Sequence, residues 1–169
     1  MTRSRASGAS VRDDAAFTEF VTARLSHLLK LGRVLAGDDQ RGADLVQDAL
    51  ERTLLNWSKV RDPEAFVRRT MANRSVSVWR KLHRERPLEE LPEPVGTDRP
   101  ADHDLLAAVK RLPPRQRAVI ALRYYEDLTE AQVAEVLGCS VGTVKSQAHR
   151  AMTTLRAQHS AFADREEER

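Results

Sequence analysis

Apolar positions recur along this chain at three- and four-residue spacing almost throughout, and that period predicts an all-α protein. Asp13 or Asp14 can cap a first helix whose stripe is Phe17, Val21, Leu25, Leu28 and Leu35, running up to Gly37. After Gly37-Asp38-Asp39 a second helix, from about Arg41 to Trp57, places Ala43, Val46, Leu50, Leu54 and Trp57 on one side. Its other side carries Asp44, Asp48 and Glu51 with Leu45 and Leu55 among them. Asp62-Pro63-Glu64 is a strong start for a third helix: Asp caps, Pro sits where its missing N–H costs nothing, and Glu suits the helix dipole. That helix has Val67, Met71, Val78 and Leu82 in line.

Periodicity then stops. Pro87, Pro92, Pro94 and Pro100 stand among Glu89, Glu90, Glu93 and Asp98, and proline locks φ and blocks helix continuation. An acidic, proline-rich linker over residues 87–103 therefore divides two small helical domains, 13–86 and 104–160. Residues 1–12 are expected to be a disordered head and 161–169 a frayed tail. Helices resume with Leu105, Leu106, Val109 and Leu112, restart after Pro113-Pro114, and carry Val119, Ile120 and Leu122.

The stretch LTEAQVAEVLGCSVGTVKSQAHRAMTTL, from Leu128 to Leu155, reads as two helices around a tight turn. Thr129 and Gln132 form a capping box, Gly138 supplies the positive φ that ends a helix, and Ser140 caps the next. On the second helix Val144, Ala148, Ala151, Met152 and Leu155 make one apolar stripe. The opposite face gathers Gly142, Ser146, His149 and Thr153, flanked by Lys145 and Arg150. A helix-turn-helix offers such a face to the major groove of duplex DNA; an ordinary two-helix corner with a solvated polar face has the same pattern.

Composition sharpens these readings. The net charge of +3 conceals segregation: Arg68, Arg69, Arg74, Arg80, Lys81, Arg84 and Arg86 crowd the third helix, interleaved with Asn73, Ser75 and Trp79. Arginines that follow phosphates beside an aromatic ring or amide that takes an unstacked base suit single-stranded nucleic acid. Trp79 as a plug in a small core is the competing reading. Likewise, Leu45 and Leu55 amid acids suit a docking surface for a basic partner, or a wet helix face with incidental leucines. One cysteine, Cys139, excludes an internal disulfide and a multi-cysteine zinc site. The N-terminus lacks a signal peptide's apolar core and no run is long enough to span a bilayer, so a cytoplasmic protein without membrane partners is expected. His27, His83, His103, His149 and His159 are scattered, and no phosphate-binding glycine loop exists, so neither enzyme activity, metal nor cofactor is expected.

Two segments carry a family resemblance. ADLVQDALERTL, Ala43 to Leu54, resembles the core-polymerase-binding helix of RNA polymerase sigma factors of the extracytoplasmic-function group. RLPPRQRAVIALRYYEDLTEAQVAEVLGCSVGTVKSQAHRA, Arg111 to Ala151, is similar to that group's C-terminal promoter-binding domain. The resemblance implies a factor that directs core polymerase to specific promoters and aids strand opening, with a region 2-like domain followed by a region 4-like domain. It implies that Asp44, Leu45, Gln47, Asp48 and Glu51 dock on the coiled coil of the beta-prime subunit, with the beta flap as a second contact. It places Asn73 where the family engages a flipped base of the minus-ten element, with Arg69, Arg74, Trp79, Arg80 and Lys81 around it. Thr143, Lys145, Ser146, Gln147, His149 and Arg150 fall where the family meets the minus-thirty-five element. Gln147 stands where an arginine is common, and VSVWRKLHRER lacks the aspartate often found before its arginines. The family also implies a monomer when free, and allows an anti-sigma protein as partner. A self-sufficient dimeric helix-turn-helix regulator is the rival reading.

Overall fold

The computed structural model of the chain describes residues 4–85 and 102–167, with side chains described over 14–77 and 105–158. The elements are α1 (Ser4–Ala36), α2 (Asp39–Leu55), a 3-10 turn (Trp57–Lys59), α3 (Pro63–Glu85), α4 (Asp102–Arg111), α5 (Pro114–Ile120), a π turn (Ala121–Tyr125), α6 (Glu130–Leu137) and α7 (Val141–Glu167). No strand occurs among the described residues, in agreement with the all-α expectation.

Local chemistry sets most helix ends where it was expected. Asp38 accepts from Arg41 N at 2.9 Å to start α2, and Asp62 accepts from Ala65 N at 3.0 Å to start α3. Both leave one fewer orphan donor in the first turn. The start of α1 is different. It runs back to Ser4 through Asp13 and Asp14, so neither aspartate caps it. No proline interrupts SRASGASVRDD, so nothing in the local chemistry ends the helix there. At the other end α7 extends to Glu167 across most of the expected frayed tail. The linker over 87–103 lies outside the described residues except where α4 begins, at Asp102.

α1, α2 and α3 enclose a core of Leu28, Leu31, Leu35, Val46, Ala49, Val67 and Met71. At the α1–α2 crossing the backbones nearly touch: a Cβ on Gly42 would meet Arg33 N at 2.7 Å, and one on Gly32 would meet Gly42 O at 2.6 Å. That close approach fixes which face of α2 turns inward. The buried residues are Gly42, Leu45, Val46, Ala49 and Thr53, whereas Ala43 and Leu54 are exposed, a correction to the expected stripe. Thr53 tolerates full burial because its hydroxyl donates to Ala49 O at 2.7 Å. Trp57 leaves the α2 stripe and packs instead against Phe17, edge-on at 5.3 Å, and Phe20. On α1, Leu31 is fully buried while Leu25 is partly exposed.

The second core gathers Val119, Leu122, Leu128, Val133, Ala134 and Val144 from α5, the π turn, α6 and α7, with Val109, Leu112, Ile120 and Ala151 beside it. The two cores abut. Ala118 and Ala121 join the first, and Ala72 of α3 joins the second. Small residues at this seam let helices approach closely, so the halves form touching bodies rather than the detached ones that a proline-rich connection suggests.

Candidate nucleic-acid interface

Residue-level geometry fixes the outward face of α7. The capping box is complete: Gln132 N donates to Thr129 Oγ1 at 3.2 Å, and Thr129 N donates to the Gln132 side chain at 2.8 Å. Gly138 ends α6 with φ of 62°, and Thr143 N donates to Ser140 Oγ at 3.1 Å to start α7. Val144 and Ala151 are fully buried, with Ala148, Met152 and Leu155 packed beside them. Because those positions are pinned, Lys145, Ser146, His149 and Arg150 stand exposed in one row. Lys145 Nζ lies 3.8 Å from Glu130 and remains largely in water. Thr143 and Gln147 are half-buried: Thr143 is engaged in the cap, and Gln147 faces the seam between the halves.

The basic helix is only partly open. Arg69 is exposed and Arg74 half-buried, while the side chains of Trp79, Arg80 and Lys81 lie outside the described residues. Asn73, exposed, does not point free into solvent, because its amide Nδ2 donates to Val136 O of α6 at 2.9 Å. Arg74 Nε lies 2.8 Å from Asp48 of α2.

On α2, Asp44, Gln47 and Glu51 are exposed, and Gln47 donates to Glu51 at 3.1 Å. Leu45 is 7% exposed and belongs to the core, which corrects its assignment as a docking anchor. Asp48 is half-buried between Arg74 and, at 3.1 Å, Arg52, so it is less available than its helix position suggested. The apolar surface of this helix lies instead at its end, where Leu54 is exposed and Leu55 is 83% exposed.

Two polar clusters across the seam were not foreseen. Arg117 of α5 is buried and donates through Nε to Leu35 O at 2.9 Å and through Nη1 to Lys110 O at 2.8 Å and Leu112 O at 3.1 Å. These carbonyls belong to or follow the C-terminal turns of α1 and α4, where helix dipoles favour a cation and carbonyls lack partners. Burial, reinforced by Arg41, pushes the guanidinium down to about 10, still charged at neutral pH. Gly37, at φ of 76°, leaves room for it, since a Cβ there would lie 2.9 Å from Nη1. The second cluster centres on Glu126, whose side chain is 3% exposed; it meets His27 Nε2 at 2.6 Å and Arg68 Nη1 at 3.1 Å. Tyr125 stacks on His27 at 5.0 Å, and burial followed by the Glu126 charge raises its phenol pKa. Nothing local marks Glu126 in the sequence, because its partners are tens of residues away, and Arg117 reaches as far for Leu35 although Lys110 and Leu112 are near it in the chain.

Comparison with known proteins agrees with this architecture. Residues 102–155 match the family described as "Sigma-70, region 4". The RNA polymerase sigma-E factor of Streptomyces coelicolor is 41% identical over 150 residues, 84% of this chain and 85% of that protein. The ECF RNA polymerase sigma factor SigL of Mycobacterium tuberculosis is 29% identical over 165 residues, 90% and 93% of the two chains. In fold, the chain is similar to the sigma factor RpoE of Bartonella quintana, crystallised with the anti-sigma factor NepR. The TM-score is 0.66 at 23% identity, covering 86% of this chain and 97% of that one. With a relative 41% identical over most of both lengths and the region 4 match at its C-terminal end, the chain belongs to the extracytoplasmic-function group of RNA polymerase sigma factors.

Proposed function

We infer that the chain is a detachable specificity subunit: it binds core RNA polymerase, brings it to particular promoters and takes part in opening the strands. The single observation that carries this is the exposed row Lys145, Ser146, His149 and Arg150 on a helix whose other face is locked into a core. Such a row presents hydrogen-bond donors and positive charge to a major groove, fixing register on the minus-thirty-five element. The basic helix α3 supplies the minus-ten surface, with Arg69 and Arg74 following phosphates and Asn73 offering an amide to an extruded base. α2 docks on polymerase through Asp44, Gln47 and Glu51, with Leu54 and Leu55 as its apolar contacts in place of Leu45.

Division of labour follows from energetics. Unstacking a base costs a few kcal/mol per step, which a small protein of modest charge does not supply unaided. Polymerase holds the duplex, the helix-turn-helix sets position, and α3 captures bases as they leave the stack.

Paired substitutions test the assignment. Arg150→Ala should lower run-off transcription from the cognate promoter while co-purification with core polymerase stays intact. Asp44→Arg should abolish co-purification; it is a cleaner choice than Asp48, whose reversal would set a third cation against Arg52 and Arg74. Loss of co-purification as well as transcription from Arg150→Ala, or co-purification retained by Asp44→Arg, would contradict the separation of roles.

A further inference from the structure

We propose that Asp48 is a positioning residue: its carboxylate, on the helix that docks on polymerase, sets the direction of Arg74 on the base-capturing helix. This rests on the reading of α3 as the minus-ten surface, and it gives Asp48 a role other than docking. Helix packing fixes the geometry. Ala49 of α2 and Met71 and Ala72 of α3 are completely buried, so the core itself carries their neighbours Asp48 and Arg74 to the junction of the two helices. There Arg74 Nε stands 2.8 Å from Asp48 Oδ2, and Arg52 Nε, one turn along α2, stands 3.1 Å from the same oxygen. That oxygen is closed to solvent, and among the described residues no N–H is aligned on it as a hydrogen bond, so charge carries the pairing. Taking a carboxylate oxygen out of water is costly unless a cation faces it, and here two do.

The outward residues of α2 are Asp44, Gln47 and Glu51, whereas the Asp48 side chain is only 26% exposed. A partner laid against those three leaves Asp48 Oδ2 on its arginines. On α3 the exposed residues Arg69 and Asn73 lie four apart, on one line, and Arg74 directly follows Asn73. An arginine anchored through Nε still offers the two Nη groups of its planar fork, which suit a phosphate. Drawn to Asp48, Arg74 therefore keeps its fork in one place beside Asn73, where the backbone of a strand with an extruded base would pass. Without the carboxylate its long side chain would sample many rotamers, and that ordering would have to be supplied when DNA binds. Asp48 thus links the docking helix to the strand-opening helix within the front half of the chain alone.

The full-length chain with core polymerase, on a promoter duplex that the pair opens, tests this. Permanganate reactivity of unpaired thymines at the minus-ten element is the readout, and co-purification is the control. Asp48→Asn keeps the shape and loses the charge; it should still co-purify and should lower thymine reactivity about two- to fivefold, the range for a partly exposed ion pair. Asp48→Glu, which keeps the carboxylate, should recover most of that loss. Arg74→Ala should lose at least as much as Asp48→Asn, and adding Asp48→Asn to it should cost nothing more, because nothing is left to position. Arg52→Ala should open the promoter as the parent does. Additive losses in the double variant, which a merely structural role would give, overturn the proposal, as does loss of co-purification by Asp48→Asn. Arg74→Ala without any loss would instead refute the minus-ten reading of α3, whereas a loss there with none in Asp48→Asn would refute only the positioning role. If Asp48→Asn does not fold, Asp48→Ala runs the same cycle and decides.

Discussion

Arg117→Ala is the substitution from which the fold should suffer most for its size. It removes one guanidinium that satisfies three carbonyls, those of Leu35, Lys110 and Leu112, at 2.8 to 3.1 Å in a buried setting. Leaving a buried carbonyl without a partner costs at least about 1 kcal/mol, so the three together come to about 3 kcal/mol. In a protein of this length each kcal/mol shifts the melting temperature by roughly 2–4 °C, which gives a loss of about 6–12 °C. Arg117→Lys keeps the charge but has no planar fork to reach two helix ends at once, so it should recover about half of that loss. Thermal melts followed by far-ultraviolet circular dichroism read both values. A loss below about 3 °C for Arg117→Ala would refute the idea that this side chain binds the ends of α1 and α4, and equal loss in both variants would show that charge at the helix ends contributes nothing.

Further expectations follow from single features. Gly42→Ala pushes a methyl into the α1 backbone at 2.7 Å and should destabilise by about 1–3 kcal/mol, measured by urea unfolding, whereas Gly142→Ala, whose Cβ would meet only Ser140 Oγ at 3.8 Å, an ordinary contact, should be close to neutral. Thr129→Ala removes one half of the capping box and should cost about 1 kcal/mol, with promoter binding by the polymerase complex weakened in step. Asp39 is held below its ordinary value of 3.8, first by its hydrogen bond to Arg33 and then by Lys110. Its folded-state pKa is depressed, so its stabilisation is present above about 3.8 and is lost as pH falls through the lower folded value. The stability gap between the parent and Asp39→Asn, under about 1 kcal/mol for so exposed a pair, should therefore vanish at acid pH; a gap that widened there would contradict the assignment.

What could be read without coordinates was what local chemistry decides. The Thr129 and Gln132 box, Gly138, the Ser140 cap and the buried stripe of α7 all depend on residues within a turn or two, and all stand as expected. α2 was misaligned because its inward face is chosen by a distant contact, the Gly32 and Gly42 crossing, which moved Leu45 inside and Ala43 and Leu54 out. An amphipathic wheel with leucines on several sides cannot anticipate that rotation. The seam was the least legible feature. A proline-rich connection implies freedom, and no short-range signal distinguishes Arg117 and Glu126 from the many other charged residues of the chain. The α7 row survived because its neighbours, not its partners, set its direction.

The central claim is that sequence specificity resides in this chain and catalysis in the polymerase it joins. Run-off transcription on linear fragments of the source genome measures this directly, comparing core polymerase alone, the chain alone, and the two combined. Discrete transcripts from a subset of fragments, appearing only in the combined reaction and abolished by Asp44→Arg, are the predicted result. Tight, sequence-specific binding of duplex by the chain alone as a symmetric dimer, with no new transcripts when core polymerase is added, would contradict it.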